Sequence, residues 1–157
     1  MPLNKLILKT IFTALLCYFP IQSNLAQNKT KVLITSTADQ TQQPCYVILP
    51  RGYEKSNDTD KIPLLISLHS WSAGLEQVKP ELEKQAAKLG WIYVFPHFRG
   101  PNQTPAACGS ELAQQDILDA VMWAKQNYRV DHSRIYLTGA SGGGHMTMLM
   151  VSRHPEV

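Results

Sequence analysis

The chain has 157 residues, and its composition of 44% hydrophobic and 17% charged residues is typical of one globular domain rather than of a disordered segment. Its formal net charge is only +3, and the sequence contains no basic run with interleaved aromatic residues. Binding to nucleic acid is therefore not expected. No spacing of cysteine and histidine residues indicates a metal site either.

The first 26 residues have the layout of a secretory signal peptide. "MPLNKLILK" carries two lysines, "TIFTALLCYFPI" is a short apolar run, and Ala26 offers a small residue for cleavage. The alternative is a membrane anchor, but the apolar run is shorter than the roughly 20 residues that span a bilayer, so no stable membrane span is expected. We therefore predict export to the periplasm or the extracellular space, with residues 27–157 as the mature chain.

Two cysteines follow the predicted cleavage site, Cys45 and Cys108. Export would bring them into an oxidising compartment, where a disulfide between them can form. Their separation in sequence does not fix their distance in space. A disulfide and two unpaired thiols are both open at this point.

The hydrophobic pattern predicts two leading strands and then a regular alternation of strands and helices. The leading strands cover 31–37 and 44–50, and three buried strands cover 62–69, 91–96 and 134–139. Helical spacing is found within residues 75–90, 111–128 and 142–154. Pro80 is expected in the first turn of the first helix, which ends at Gly90, and Ser110 is expected to cap the second helix. This order predicts an α/β fold with a mostly parallel sheet, right-handed crossovers and helices on both faces.

The segment GASGG, residues 139–143, fits the pattern G-x-S-x-G in the strand–turn–helix context that this pattern requires. Small flanking residues let a neighbouring chain segment pass close to a strained turn. Such a turn lifts the Ser141 hydroxyl clear of the sheet, and the N–H of Gly142 can stabilise an oxyanion at the start of the next helix. Ser141 is therefore the candidate nucleophile of an acyl-transfer reaction, and the alternative is a glycine-rich turn with a purely structural role.

A second oxyanion donor is expected from the loop after the third strand, which has the sequence LHSWSAG. The backbone N–H of Trp71 or of Ser70 is the candidate, with Trp71 preferred, and the alternative for Trp71 is a packing role. His69 and His97 each end a buried strand at the same edge of the sheet as Ser141. Both are candidates for a substrate pocket, and the alternative is that they are structural histidines.

Four segments resemble the α/β-hydrolase fold, and in particular its prolyl oligopeptidase-like branch. They are LISLHSWSAG, YVFPHFRGPN, ELAQQDILDAVMWA and VDHSRIYLTGASGGGHMTMLM, in this order across residues 62–153. The resemblance implies a serine hydrolase, either esterase or peptidase, in which Ser141 is the nucleophile and Gly142 supplies one oxyanion N–H. It implies no cofactor.

The sequence departs from that branch in two ways. Large peptidases of the branch carry a β-propeller ahead of the hydrolase domain, whereas this chain has room there only for two strands and a loop. They also tend to offer a tyrosine hydroxyl to the oxyanion, where this chain has Trp71 with an indole N–H and its backbone. Both departures favour a small esterase over a peptidase that acts on short peptides.

The residues that would activate Ser141 do not follow it in this sequence. In α/β-hydrolases the acid and then the histidine come after the serine, whereas sixteen residues follow it here. His145 is on the helix that Ser141 precedes and cannot easily turn back to it, and His154 is expected to be solvated at the far end of that helix. Asp116 and Asp119 are better explained as helix-surface or loop-anchoring groups.

We therefore expect this chain to be the N-terminal part of a longer hydrolase, inactive alone, whose remaining strands and helices carry the acid and the histidine. Without them, the strand 134–139 would lie at an edge of the sheet with unpaired backbone groups. A serine peptidase and a non-enzymatic or inactive product are the alternatives. The sequence leaves the oligomeric state open.

Overall fold

A computed structural model describes residues 29–53 and 59–156, and the predicted signal peptide lies outside these ranges. The strands are β1 (Lys29–Thr35), β2 (Gln42–Ile48), β3 (Ile62–Leu68), β4 (Ile92–Pro96) and β5 (Val130–Gly139), and the helices are α1 (Pro80–Lys88), α2 (Glu111–Asn127) and α3 (Gly142–Arg153). Their order is the predicted one. None of the described helices has the length and apolar character that crossing a bilayer requires.

The five strands form one sheet in the order β1-β2-β4-β3-β5. β3 pairs in parallel with β4 and β5, whereas β1 with β2 and β2 with β4 pair antiparallel. The predicted α/β fold is confirmed, but the sheet is mixed, with its parallel part confined to β3, β4 and β5. A short turn joins β1 to β2, and a connection of that length allows only antiparallel pairing.

Helices cover both faces of the sheet, as predicted. Ile66 of β3 faces α2 and α3, where it shares a cluster with Ile117 and Met146. The next residue towards the N-terminus, Leu65, faces the opposite way and packs in the cluster that contains Ala86 of α1. Because successive side chains of a strand alternate between faces, the apolar run of β3 supplies both cores at once.

Helix α1 begins at Pro80, so the prediction that this proline lies in the first turn is confirmed. Gly90, with φ 74°, follows the end of the helix, as predicted. Proline lacks a backbone N–H and fits the first turn of a helix, but it disfavours a helical conformation in the residue before it. Lys79 accordingly has φ −123° and ψ 66°, and the segment that precedes it is a loop.

Strand β5 lies at the edge of the described sheet, as predicted, with β3 as its only neighbour. The prediction that it is buried is wrong, since most of its side chains are exposed or half-buried. With nothing paired to its outer side, β5 is covered mainly by α3 and β3. Tyr136 remains 43% exposed, although its ring stacks on Trp91 with centroids 4.8 Å apart.

The connections out of β3 and β5 diverge. From β3 the chain leads to α1 on one face of the sheet, and from β5 it leads to α3 on the other. Adjacent parallel strands whose connections part in this way leave a crevice beyond their carboxyl ends, where α/β proteins bind ligands. The loops that begin at His69 and Ala140 meet at this crevice.

A cluster of charged side chains ties the β1–β2 turn to the loop after β4. Nε of Arg99 donates to Asp116 at 2.7 Å, and its Nη1 donates to Asp39 at 2.6 Å. Asp119 accepts hydrogen bonds from the backbone N–H and the hydroxyl of Thr37, at 2.7 and 2.8 Å. The hydrogen bonds from Arg99 hold the pKa of Asp39 far below its usual range. The interpretation of both α2 aspartates as loop anchors is confirmed, but they are buried rather than on the helix surface.

Replacing Asp116 by alanine should lower the free energy of unfolding by about 3 kcal/mol, because it leaves the little-exposed Arg99 guanidinium without its buried partner. Urea denaturation measures this change. The control is Gln126→Ala, an exposed position of the same helix, which should stay within about 0.5 kcal/mol of the wild type. Equal effects of the two substitutions would contradict the anchoring role.

Candidate active site

Ser141 lies at the sharp turn between β5 and α3. Its φ of 54° and ψ of −120° place a residue with a side chain in a region that normally favours glycine. Such strain persists only where the surrounding structure enforces it, and it is concentrated at functional sites. The residue is exposed, and its hydroxyl forms no hydrogen bond to any group in the described ranges. Ser141 is thus presented as an accessible hydroxyl at the end of the sheet.

Two glycines of the turn are fixed by close backbone approach. A Cβ atom on Gly139 would lie 2.4 Å from the backbone of Gly143, where α3 turns back over the end of β5. A Cβ on Gly142 would lie 2.5 Å from the backbone nitrogen of Trp71. Real Cβ contacts are never so short, so both positions admit only glycine without a backbone shift. The small residues of the motif therefore have the steric role that the sequence predicted.

The second contact brings the two predicted oxyanion donors side by side. Gly142 is the first residue of α3, so its N–H has no partner within the helix. The backbone of Trp71 faces it from the loop after β3, and no acceptor in the described chain engages the Trp71 N–H. The N–H of Ser70, by contrast, donates to Oε1 of Gln77 at 2.7 Å. The geometry favours Trp71 over Ser70 as the second donor, and its role stays a prediction.

His69 is fully buried beneath this loop. Its Nε2 lies 2.7 Å from the carbonyl oxygen of His97, and its Nδ1 lies 3.1 Å from that of Ser70. The ring also stacks on Phe98, with centroids 3.8 Å apart. Burial lowers the pKa of His69, so the ring is neutral and its single N–H belongs with the shorter contact. With both nitrogens facing backbone carbonyls, His69 has the contacts of a structural histidine rather than of a pocket residue.

His97 occupies the space that two glycines leave behind the same loop. A Cβ on Gly74 or on Gly100 would lie 3.0 Å from its ring. The ring is half-buried, and its Nδ1 has no hydrogen-bond partner within the described residues. A substrate-pocket role for His97 stays a prediction.

The two histidines that follow Ser141 are held elsewhere. The ring of His145 lies against Gly109, where a Cβ would be 3.3 Å from its Cε1. His154 was expected to be solvated but is half-buried, because α2 lies alongside and Oε1 of Gln114 is 3.1 Å from its Nε2. The backbone N–H of His145 donates to the carbonyl oxygen of Ser141 at 2.9 Å, but neither imidazole ring forms a hydrogen bond to the Ser141 hydroxyl in the described chain. In the described chain no histidine ring thus contacts the hydroxyl of Ser141, and the roles of Ser141 as nucleophile and of Gly142 as oxyanion donor stay predictions.

The remaining reactive side chains do not form a second centre. Cys45 is buried in β2 and Cys108 is half-buried in the loop before α2, and both are unpaired. Burial raises the pKa of the Cys45 thiol to about 12, so it is unreactive. Within residues 29–53 and 59–156, no three histidine, cysteine or carboxylate side chains are grouped as a metal ion requires.

Sequence reasoning missed two residues next to the site. Asn102 is fully buried, and its Nδ2 points at the carbonyl oxygen of Gly142 at 3.4 Å. Gln77 lies in the loop before α1, and the sequence pattern did not single it out. A polar residue in a loop gives no signal of the backbone group that it will meet, so only the folded structure shows these contacts.

Known proteins resemble this chain both in fold and in part of its sequence. An acylaminoacyl peptidase from Pyrococcus horikoshii superposes with a TM-score of 0.64 at 21% identity, over 81% of this chain and 21% of that protein. A ferulic acid esterase gives 0.63 at 20% identity, over 83% of this chain and 56% of that one. Residues 80–157 match the model of the prolyl oligopeptidase family. The chain has the α/β-hydrolase fold. Its resemblance to the prolyl oligopeptidase branch is confirmed by that match.

An esterase is also similar to this chain in sequence. Feruloyl esterase B from Neurospora crassa is 30% identical over 114 residues, which cover 62% of this chain. The chain spans 36% of that relative and 21% of the archaeal peptidase. Esterases and peptidases are both among the proteins that this chain resembles.

Replacing Gly142 by alanine should destabilise the fold by about 1–3 kcal/mol, because the new Cβ collides with the Trp71 backbone. Gly144→Ala is the matched control in the same helix, since its Cβ would meet only one atom closer than 3.4 Å, at 3.3 Å. Alanine also has the higher helix propensity, so this control should stay within about 1 kcal/mol of the wild type. Urea unfolding of the two variants compares them directly, and a Gly142→Ala protein as stable as the control would refute the close approach.

The free energy of unfolding should decrease on acidification because His97 is harder to protonate in the folded chain than in the unfolded one. Burial first, and the neighbouring His69 second, lower the pKa of His97 below its ordinary value of 6.5. The unfolded chain then binds more protons than the folded one, so the stabilisation is present above that value and is lost as the pH falls below it. The free energy of unfolding should decrease from about pH 7.5 to about pH 5, and His97→Gln should reduce this decrease.

The control is His132→Gln, at an exposed position of β5, which should keep the pH dependence of the wild type. If His97→Gln and wild type lose the same free energy over this range, His97 does not contribute.

Proposed function

We propose that the whole protein is an exported serine hydrolase that cleaves a carboxylic ester through an acyl-enzyme on Ser141. One observation carries the proposal: an exposed, strained serine stands beside two backbone N–H groups, those of Gly142 and Trp71, that have no other partner in the described chain. Export is supported by the composition of residues 1–26.

The reaction follows from this arrangement. Oγ of Ser141 attacks the ester carbonyl carbon, and the carbonyl electron pair moves onto the oxygen, which the N–H groups of Gly142 and Trp71 stabilise as an oxyanion. The serine proton passes to a base and from it to the departing alcohol as the tetrahedral intermediate collapses to the acyl-enzyme. Water then attacks the acyl carbon with the same base, releasing the carboxylic acid and restoring the serine.

The base and its acid partner belong, in this proposal, to a part of the whole protein outside the described residues. Two observations support this: no described histidine contacts the Ser141 hydroxyl, and the outer edge of β5 has no paired strand in the described sheet. A further strand beside β5 would end at the same edge of the sheet as Ser141, where groups that follow it can reach the serine. A serine without a base is a weak nucleophile near neutral pH.

An ester is favoured over a peptide bond as the substrate. The names of two similar proteins, Feruloyl esterase B and a ferulic acid esterase, support an ester with an aromatic acyl group. The side chain of Trp71 is 45% exposed beside Gly142, and its flat apolar surface suits such a group. The likeness to acylaminoacyl peptidase supports the second candidate, a peptidase that acts on short peptides.

Full-length protein should hydrolyse methyl ferulate and p-nitrophenyl acetate faster than an acylated aminoacyl amide, and Ser141→Ala should lower kcat by about a thousandfold or more. A chromogenic or chromatographic assay measures both rates. Preference for the amide would establish the peptidase instead. No Ser141-dependent turnover of either class would leave the non-enzymatic alternative.

A further inference from the structure

We propose that Gln77 is a positioning residue that sets the second oxyanion donor by capturing the N–H of Ser70, so that the N–H of Trp71 is the one presented to the substrate. The inference rests on the proposed function for its catalytic consequence. Its structural part, the capture of one amide and the release of the next, can be tested without turnover.

Gln77 contacts both ends of the oxyanion loop, which we define as residues 70–74. Its Oε1 accepts the Ser70 N–H at 2.7 Å, and its own backbone N–H donates to the carbonyl oxygen of Gly74 at 3.0 Å. One residue thereby holds both ends of the loop. Gln77 is only half-buried, so these hydrogen bonds, rather than apolar packing, account for its position.

The amide groups of the oxyanion loop divide into captured and free ones. The N–H of Gly74 donates to Oε1 of Glu76 at 2.7 Å, as that of Ser70 does to Gln77. Between these two clamps lies Trp71, whose N–H has no acceptor in the described chain and whose backbone faces Gly142. Side chains just beyond the loop thus select which of its N–H groups stays available.

Selection matters because Ser70 and Trp71 are adjacent, and a change in the backbone torsions of Ser70 that turns its N–H also moves the next peptide unit, which carries the Trp71 N–H. Without the Gln77 oxygen, the half-buried Ser70 N–H would have no acceptor, and turning it towards water would relieve that cost. The same turn displaces the Trp71 N–H from the oxyanion. Displacements of about 1 Å in a catalytic constellation can cost about a hundredfold in rate.

Two measurements on the full-length protein test the inference, with Gln77→Met as the variant, because methionine matches glutamine in length but lacks the oxygen acceptor. Gln85→Met is the matched control, since it makes the same change at an exposed position of α1. The first measurement is residue-resolved amide hydrogen exchange. In the wild type the Ser70 amide should exchange about tenfold or more slowly than that of Trp71, and Gln77→Met should abolish the difference.

The second measurement is steady-state hydrolysis of the preferred ester. Gln77→Met should lower kcat about tenfold to a hundredfold with KM nearly unchanged and with the thermal midpoint within about 2 °C of the wild type, since the lost stabilisation is specific to the transition state. Gln85→Met should keep the wild-type kcat. A loss confined to KM or to the thermal midpoint would mean a merely structural residue.

The outcomes separate this inference from the proposed function. Equal exchange of the Ser70 and Trp71 amides in the wild type overturns the inference, whatever the activity. Active wild type with an unimpaired Gln77→Met variant also overturns it and leaves the proposed function standing. If the wild type has no Ser141-dependent turnover, the proposed function fails, and the exchange rates alone decide whether Gln77 captures Ser70.

Discussion

The approach of the Trp71 backbone to Gly142 is the contact on which the candidate site depends. It joins a loop that follows β3 to the first turn of α3, and it exists only because Gly142 has no side chain. Gly143 lies equally close to the end of β3, since a Cβ there would be 2.5 Å from the carbonyl oxygen of Leu68. The start of helix α3 therefore packs directly against the backbone at the end of β3, and this close packing enforces the strained conformation of Ser141.

Support for the oxyanion loop continues beneath it in layers. His69 stacks on Phe98 and binds the carbonyl of His97, which links the ends of β3 and β4. Phe98 and Arg99 both have positive φ, at 30° and 74°, so the chain turns sharply where the histidine rests on it. The Arg99 side chain then attaches this turn to α2 through its hydrogen bond to the buried carboxylate of Asp116. Phe98 and Arg99, which are remote from Ser141, thus support His69 and the oxyanion loop that follows it.

The sequence was sufficient for the order of elements, for the edge position of β5 and for the turn at Ser141, because each rests on a local pattern. A buried parallel strand is a continuous apolar run, and a nucleophile turn needs glycines at fixed spacing. Partners distant in sequence were not predictable in this way. Nothing local tells that Arg99 meets Asp39, or that His154 meets Gln114. The exposure of β5 was missed for a related reason. An apolar run predicts a strand, but the burial of that strand depends on its neighbours in the sheet, which are distant in sequence.

The pairing of β3 with β5 has a consequence for how the site comes into existence. Ile62 pairs with Val130, and α1, β4 and α2 all lie between them in the chain. Closing so long a loop costs entropy before any contact compensates for it, and such non-local pairings slow folding. The hairpin of β1 and β2 can form as soon as it is synthesised, but the crevice at Ser141 cannot. A nascent chain therefore cannot bring the turn at Ser141 beside the loop after β3 until β5, its last described strand, has docked.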